Sequence, residues 1–181
     1  MGHGEDEMGP MEPRGRGEVR FLLDGSLGRL GRSLRMFGID AEMDTQDLHY
    51  LIGRAQREGR ILLTRRAVRP ERIPATLKVI RIKEDHPERQ VVSVLKWLGS
   101  PIPKAEWFSR CLLCNRLLEE VPSASVEGIV PDHVLLVHSH FRLCGGCGRV
   151  YWPGTHRANM EKRMERWAFE AWGDLGGEKG G

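Results

Sequence analysis

The chain has 181 residues, with 28 Lys+Arg against 25 Asp+Glu, a formal net charge of +3 and 40% apolar residues. That length suits one ordinary domain or two small ones, and the apolar content supports a packed core. No apolar run approaches the ~18 residues of a membrane span, and the N-terminus lacks the apolar centre of a signal peptide, so no membrane association and a reducing, cytoplasmic setting are expected.

The charge is unevenly placed. Residues 14–83 hold 16 Lys+Arg against 8 Asp+Glu, whereas residues 1–13 hold four acids and neither Lys nor Arg. A basic stretch of that kind suits an anionic partner such as nucleic acid, and equally a solubilising surface.

In chain order, residues 1–17 are rich in Gly, Pro and charge and read as a disordered tail. "VRFLL" at 19–23 reads as a buried strand that ends at a lone acid, Asp24. Residues 26–37 read as a helix with Leu27, Leu30 and Leu34 on one side. Arg29, Arg32 and Arg35 fall in a separate sector expected to face outward. "IDAEM" reads as a short second strand. Asp47 stands at an N-cap position before a stripe of Leu48, Leu51, Ile52 and Ala55 that ends near Gly59. "RILLT" (60–64) and "LKVIRI" (77–82) read as strands. A third helix opens with an Asp85-x-x-Glu88 capping pattern and Pro87 in its first turn. Strands separated by helices imply parallel pairing over residues 18–100, with Asp24 and Thr64 at the carboxyl ends, where ligands bind in such sheets.

After the Pro-rich "GSPIPK" the texture changes, and helical periodicity stops until about residue 154. Cys111-x-x-Cys114 and Cys144-x-x-Cys147 are separated by 29 residues, and each pair is followed by a residue suited to a tight turn, Asn115 and Gly148. This is the spacing of a zinc ribbon over 105–156: two knuckles supply four thiolates, no position stays open for water, and the zinc is structural. A redox dithiol would use one such pair in a different setting. His133, His138, His140 and His156 read as surface or hydrogen-bonded imidazoles, and Tyr151 and Trp152 as core or seam residues. A closing helix over 157–172 and a second disordered tail over 173–181 complete the chain.

The acids and arginines suggest a chemistry. Nucleases that use divalent ions gather carboxylates at strand ends, where the ions activate water and steady the leaving oxygen. The candidate ligands are Asp24, Asp44 and Asp47, each with a plainer reading beside it: Asp47 as a helix cap, Asp44 as a loop solvator, Asp24 as the cap of the helix it precedes. Arg29, Arg32 and Arg65 are the candidate phosphate ligands, and further arginines follow at 54, 57, 60, 66, 69 and 72.

"RFLLDGSLGRLGRSLRMFGID", "GRILLTR", "SRCLLCN" and "CGGCGRVYWPGTH", in that order, resemble the family of the mut-7 C-terminal RNase domain over about residues 18–165. The resemblance implies an α/β fold: a PIN-like three-layer sandwich with a mostly parallel sheet, then a small four-cysteine zinc ribbon and a C-terminal helix. It also implies a metal-dependent ribonuclease, with RNA as partner and Mg²⁺ or Mn²⁺ as the catalytic ion. The family's first acid falls on Asp24 and its second-helix acid on Asp47, with Asp44 nearby. One position departs: the family's third strand ends Leu-Thr-Arg-Asp, and this chain has Arg66 for the acid. At 4 Å and an effective dielectric near 20, each unit of ion charge would cost roughly 4 kcal/mol against that guanidinium. An RNA-binding or regulatory protein with impaired cleavage is therefore the alternative.

Overall fold

In the computed structural model, which describes residues 19–173, Phe21, Leu22 and Leu23 are all fully buried. A strand buried on both faces belongs in the middle of a covered sheet. Arg20–Asp24 (β1) accordingly lies between Asp40–Asp44 (β2) and Ile61–Thr64 (β3), with Val79–Arg81 (β4) beyond β3. All three pairings are parallel, in the order β2-β1-β3-β4. The strands expected from the sequence are these four, and both expected tails fall almost wholly outside the described residues.

Alternation along β1 sorts the helices onto two faces. Phe21 and Leu23 pack with Leu30 and Leu34 of Gly28–Met36 (α1) and with Val91 and Leu95 of Pro87–Leu98 (α3). Leu22 packs on the other face with Leu51, Ile52 and Ala55 of Leu48–Glu58 (α2). The result is three layers. Because the connection from β1 leads one way to β2 and the return leads to β3, the chain reverses direction between β1 and β3. That is the crevice where open α/β sheets bind ligands.

Local chemistry sets the element ends. Asp47 accepts from the Tyr50 N–H at 3.0 Å and caps α2, whose far end is closed by left-handed Gly59. Pro87 begins α3, as expected, but Asp85 does not cap it: the N-cap is His86, and Asp85 is drawn into an ion pair with Arg65. A short 3-10 turn over Gly25–Leu27 precedes α1, so the α-helix proper starts two residues later than the expected span of 26–37.

Glu119–Val121 (β5), Phe141–Leu143 (β6) and Val150–Tyr151 (β7) form a second, antiparallel sheet in that order. Between its strands lies a helix absent from the sequence reading, Asp132–Val137 (α4), too short at six residues to show a period. Val126, Val130, Val134 and Phe141 make a small core for this module. The closing helix Thr155–Trp172 (α5) returns to the first sheet's core. There Met160, Met164, Trp167 and Ala168 are buried, and Trp172 Nε1 donates to Leu95 O at 2.9 Å.

Candidate functional site

The two cysteine pairs adopt the same local geometry. Cys111 O accepts from Asn115 N at 3.0 Å and Cys144 O from Gly148 N at 2.9 Å; Cys111 N donates to Arg116 O at 2.8 Å and Cys144 N to Arg149 O at 2.9 Å. Each loop is closed by a left-handed residue, Asn115 at φ 68° and Gly148 at φ 69°. Glycine and asparagine tolerate that backbone best, which is why those two residues end the pairs.

The loops bring four sulfurs together. Cys111 and Cys147 Sγ stand 3.6 Å apart, Cys114 and Cys144 Sγ 3.3 Å apart, and all four lie within 4.8 Å of one another. Sulfurs about 2.3 Å from a central zinc ion would be about 3.8 Å apart, so the set fits a tetrahedral Zn²⁺ with no ligand missing. The thiols also show why a cation belongs there. Burial pushes Cys111 up, but the Cys114 N–H, the Tyr151 hydroxyl and the Leu113 N–H outweigh it and bring the thiol to about 6. Burial, followed by crowding from the other sulfurs, pushes Cys114 up to about 12. One thiolate is favoured at the expense of the next, and a divalent cation removes that conflict. Tyr151 reaches Cys111 Sγ at 3.2 Å and accepts from Leu112 N at 3.1 Å, so it lies at the seam expected for it.

The first cysteine loop is anchored to the α/β sheet. Arg35 sits in the sequence's outward basic sector, yet it is 3% exposed. Its guanidinium donates to Ala41 O at 2.8 Å, Leu112 O at 2.9 Å and Leu113 O at 2.6 Å. Asn115 Oδ1 accepts from Ala41 N at 3.0 Å, and its amide donates to Asp40 at 2.8 Å. Arg110 donates to Gly38 O at 2.9 Å. Gly38 is left-handed at φ 79°, and a Cβ there would run into Glu106 O, so only glycine lets the ribbon chain pass so close.

The acids occupy the carboxyl edge of the sheet but do not converge. Asp24 and Asp44 are register partners at the ends of β1 and β2. Asp24 is fully buried, and four donors surround it: Ser26 N at 2.9 Å, Arg65 N at 3.1 Å, and the hydroxyls of Ser26 and Thr64. Asp44 accepts from Gln46 N at 3.1 Å and Arg54 at 2.9 Å. Asp47 is exposed and caps α2. Among the described residues, the four cysteines are the group of three or more metal-ligating side chains whose ligand atoms meet within 4.8 Å; the three acids form no such group. Arg66 is exposed beside them, its N–H on Thr64 Oγ1 at 3.1 Å.

The arginines divide as well. Arg54 and Arg60 are occupied by acids: Arg54 by Glu42, Asp44 and Glu58, and Arg60 by Asp40, Glu42 and Glu58. Arg65 pairs with Asp85. Arg29 and Arg32 are exposed on α1.

A family model of the Mut7-C RNAse domain matches residues 19–164, which cover both the sheet and the ribbon. The chain belongs to the Mut7-C RNAse domain family. No curated protein and no solved structure matches it. Membership in this RNase family supports a nuclease lineage. No helix among the described residues is long and apolar enough to cross a membrane.

The environment of Asp24 in this Mut7-C chain makes a prediction about stability. Burial alone would raise its carboxyl; the Ser26 and Thr64 hydroxyls and the N–H groups of Ser26 and Arg65 outweigh that and hold it below the usual carboxylate range. Asp24→Asn turns a donor toward those N–H groups, and should cost about 1–3 kcal/mol at pH 7. With a depressed folded value, the stability from Asp24 is fully present above the unfolded value of about 3.9, and is lost as pH falls through the folded one. The gap between wild type and variant should therefore shrink in acid. Denaturant midpoints from pH 7 down to 2 measure it, and a gap that stays constant would contradict the assignment.

Proposed function

We propose that this protein binds RNA on a ribonuclease-family frame in which metal-ion cleavage is impaired. The observation that carries the reading is the state of Asp24: zero exposure, with both carboxylate oxygens engaged by protein donors. A hard divalent ion needs carboxylate oxygens that are free and convergent. Here Asp24 is saturated, Asp44 is held by Arg54 and Asp47 by the helix it caps. The guanidinium of Arg66 adds a repelling charge where the family pattern has an acid. As arranged, these residues do not fit Mg²⁺ or Mn²⁺, and no reaction step is assigned to such an ion. The Zn²⁺ of the four cysteines is structural in this reading, and the sheet unit over 18–100 and the ribbon over 105–156 act as two parts of one RNA-facing surface.

A specific observation favours a second reading, an active metal-dependent ribonuclease. Asp24 and Asp44 are in register at adjacent strand ends, beside the crevice between β1 and β3, and their carboxylate oxygens are the ligand type a hard divalent ion takes.

One assay separates the two. The zinc-loaded protein is incubated with a labelled RNA pool, with and without Mn²⁺ or Mg²⁺, alongside Asp24→Asn and Arg66→Asp, with the fold of each variant checked by circular dichroism. We expect wild type to bind without metal-dependent cutting, and Arg66→Asp to gain some. Cutting by wild type that needs the ion and disappears in a folded Asp24→Asn would establish the second reading instead.

A further inference from the structure

A groove of about 820 Å³ lies between α1, the start of α3, the ribbon's last strand and α5. Its floor is apolar, formed in part by Met36, Phe108 and Met160. Six arginines line it, at positions 29, 32, 142, 149, 157 and 163, and Glu88 is the single acid among the lining residues. The ion pairs of the described residues engage Arg142, but not Arg29, Arg32, Arg149 or Arg163, which are all exposed. The Arg157 guanidinium carbon lies 4.7 Å from the centre of the Phe108 ring, and Trp152 is half-buried at the groove's ribbon side.

We propose that this groove is the track for single-stranded RNA, with α1 supplying one phosphate-binding wall and the ribbon with α5 the other. The inference rests on the RNA reading above and adds to it the place of binding and the ribbon's part in it. Unpaired guanidiniums on both walls complement a phosphate backbone. The apolar floor, Arg157 over the Phe108 ring and half-buried Trp152 suit unstacked bases, which any sequence supplies. An apolar floor rewards bases that are free to leave the stack, and a duplex keeps its bases stacked and paired, so the strand assigned to it is single. Arg29, Pro87 and Glu88 of the lining stand at the starts of α1 and α3, which follow the carboxyl ends of β1 and β4. A strand held in the groove is led toward the Asp24 edge.

The test measures fluorescence anisotropy of a labelled 12-nucleotide single-stranded RNA across a salt series. The test variant is Arg32→Glu with Arg149→Glu, one exposed residue on each wall. The control is Lys162→Glu with Arg166→Glu, two exposed residues of α5 outside the groove lining and an equal change in charge. Zinc content and circular dichroism confirm that each is folded. The groove variant should lose at least tenfold in affinity at low salt, and the slope of log K against log salt should flatten by about 1.4 for two lost phosphate contacts. The control should stay within about threefold. If both variants weaken equally, or neither does, while wild type still binds, the groove assignment is overturned and the RNA reading survives. Equal affinity for the matching duplex overturns the single-strand assignment. If wild type binds no RNA at the lowest salt, the RNA reading fails and the groove proposal falls with it.

Discussion

Stripping the metal from this protein should unfold residues 109–152 of the ribbon and loosen the sheet it is attached to. The module's own core is small, essentially Val126, Val130, Val134 and Phe141, and its three strands total eight residues. Metal binding at structural zinc sites contributes about 10–16 kcal/mol in small peptides, comparable to or above the whole stability of an ordinary domain. The purified protein should contain one zinc per chain. After chelation, backbone amides in this span should exchange at close to unprotected rates, while those of β1 and β3 keep most of their protection. Two substitutions probe the same point: Cys111→Ser removes a buried ligand, and Cys147→Ser an exposed one. Both should lose the metal. Full protection of the ribbon amides in metal-free protein would show that the cysteines are dispensable to the fold.

The second large effect should come from Arg35→Met. This change keeps much of the side chain's apolar stem and removes a guanidinium that satisfies Ala41 O, Leu112 O and Leu113 O together. Burial lowers the pKa of this arginine, while the nearby Cys111 and Cys114 thiolates raise it. Four thiolates around a divalent ion leave a net negative centre, and Arg35 is the buried positive charge beside it. Each carbonyl left without a partner costs about 1–3 kcal/mol, so the variant should lose roughly 3 kcal/mol or more. Arg35→Lys should recover only part, because one ammonium cannot span acceptors on two separate chain segments. Arg32→Met, three residues earlier and exposed, should change stability by no more than about 0.5 kcal/mol. Guanidinium midpoints of zinc-loaded protein decide it, and equal midpoints for the Arg35 and Arg32 variants would remove Arg35 from its bracing role.

These two predictions show what the sequence could and could not reveal. The four parallel strands were legible because apolar runs such as "RFLL" and "ILLT" leave few alternatives. The metal centre was legible because two identical spacings, each closed by Asn or Gly, carry their own geometry. Arg35 was not legible. A helical wheel places it correctly in the basic sector but says nothing of carbonyls 77 residues away that its long side chain reaches. Arg54 and Arg60 each have a near neighbour in Glu58, but their other acids, Asp40, Glu42 and Asp44, alternate along β2 and reach them only through the fold. Asp85 followed a sound local rule and lost to a tertiary partner, Arg65. At the carboxyl edge the sequence named three acids and placed Thr64 with Asp24, but it did not reveal that the Ser26 and Thr64 hydroxyls occupy Asp24.

Asn115 also closes part of the sheet's border at Ala41. β2 is an outer strand of the sheet, and an outer strand offers backbone groups that another chain can pair with. Here a side-chain amide takes the place of the missing neighbour, accepting from Ala41 N as the next strand's carbonyl would. The ribbon thus covers part of an adhesive border, and a cation held by the four cysteines would help keep that cover in place.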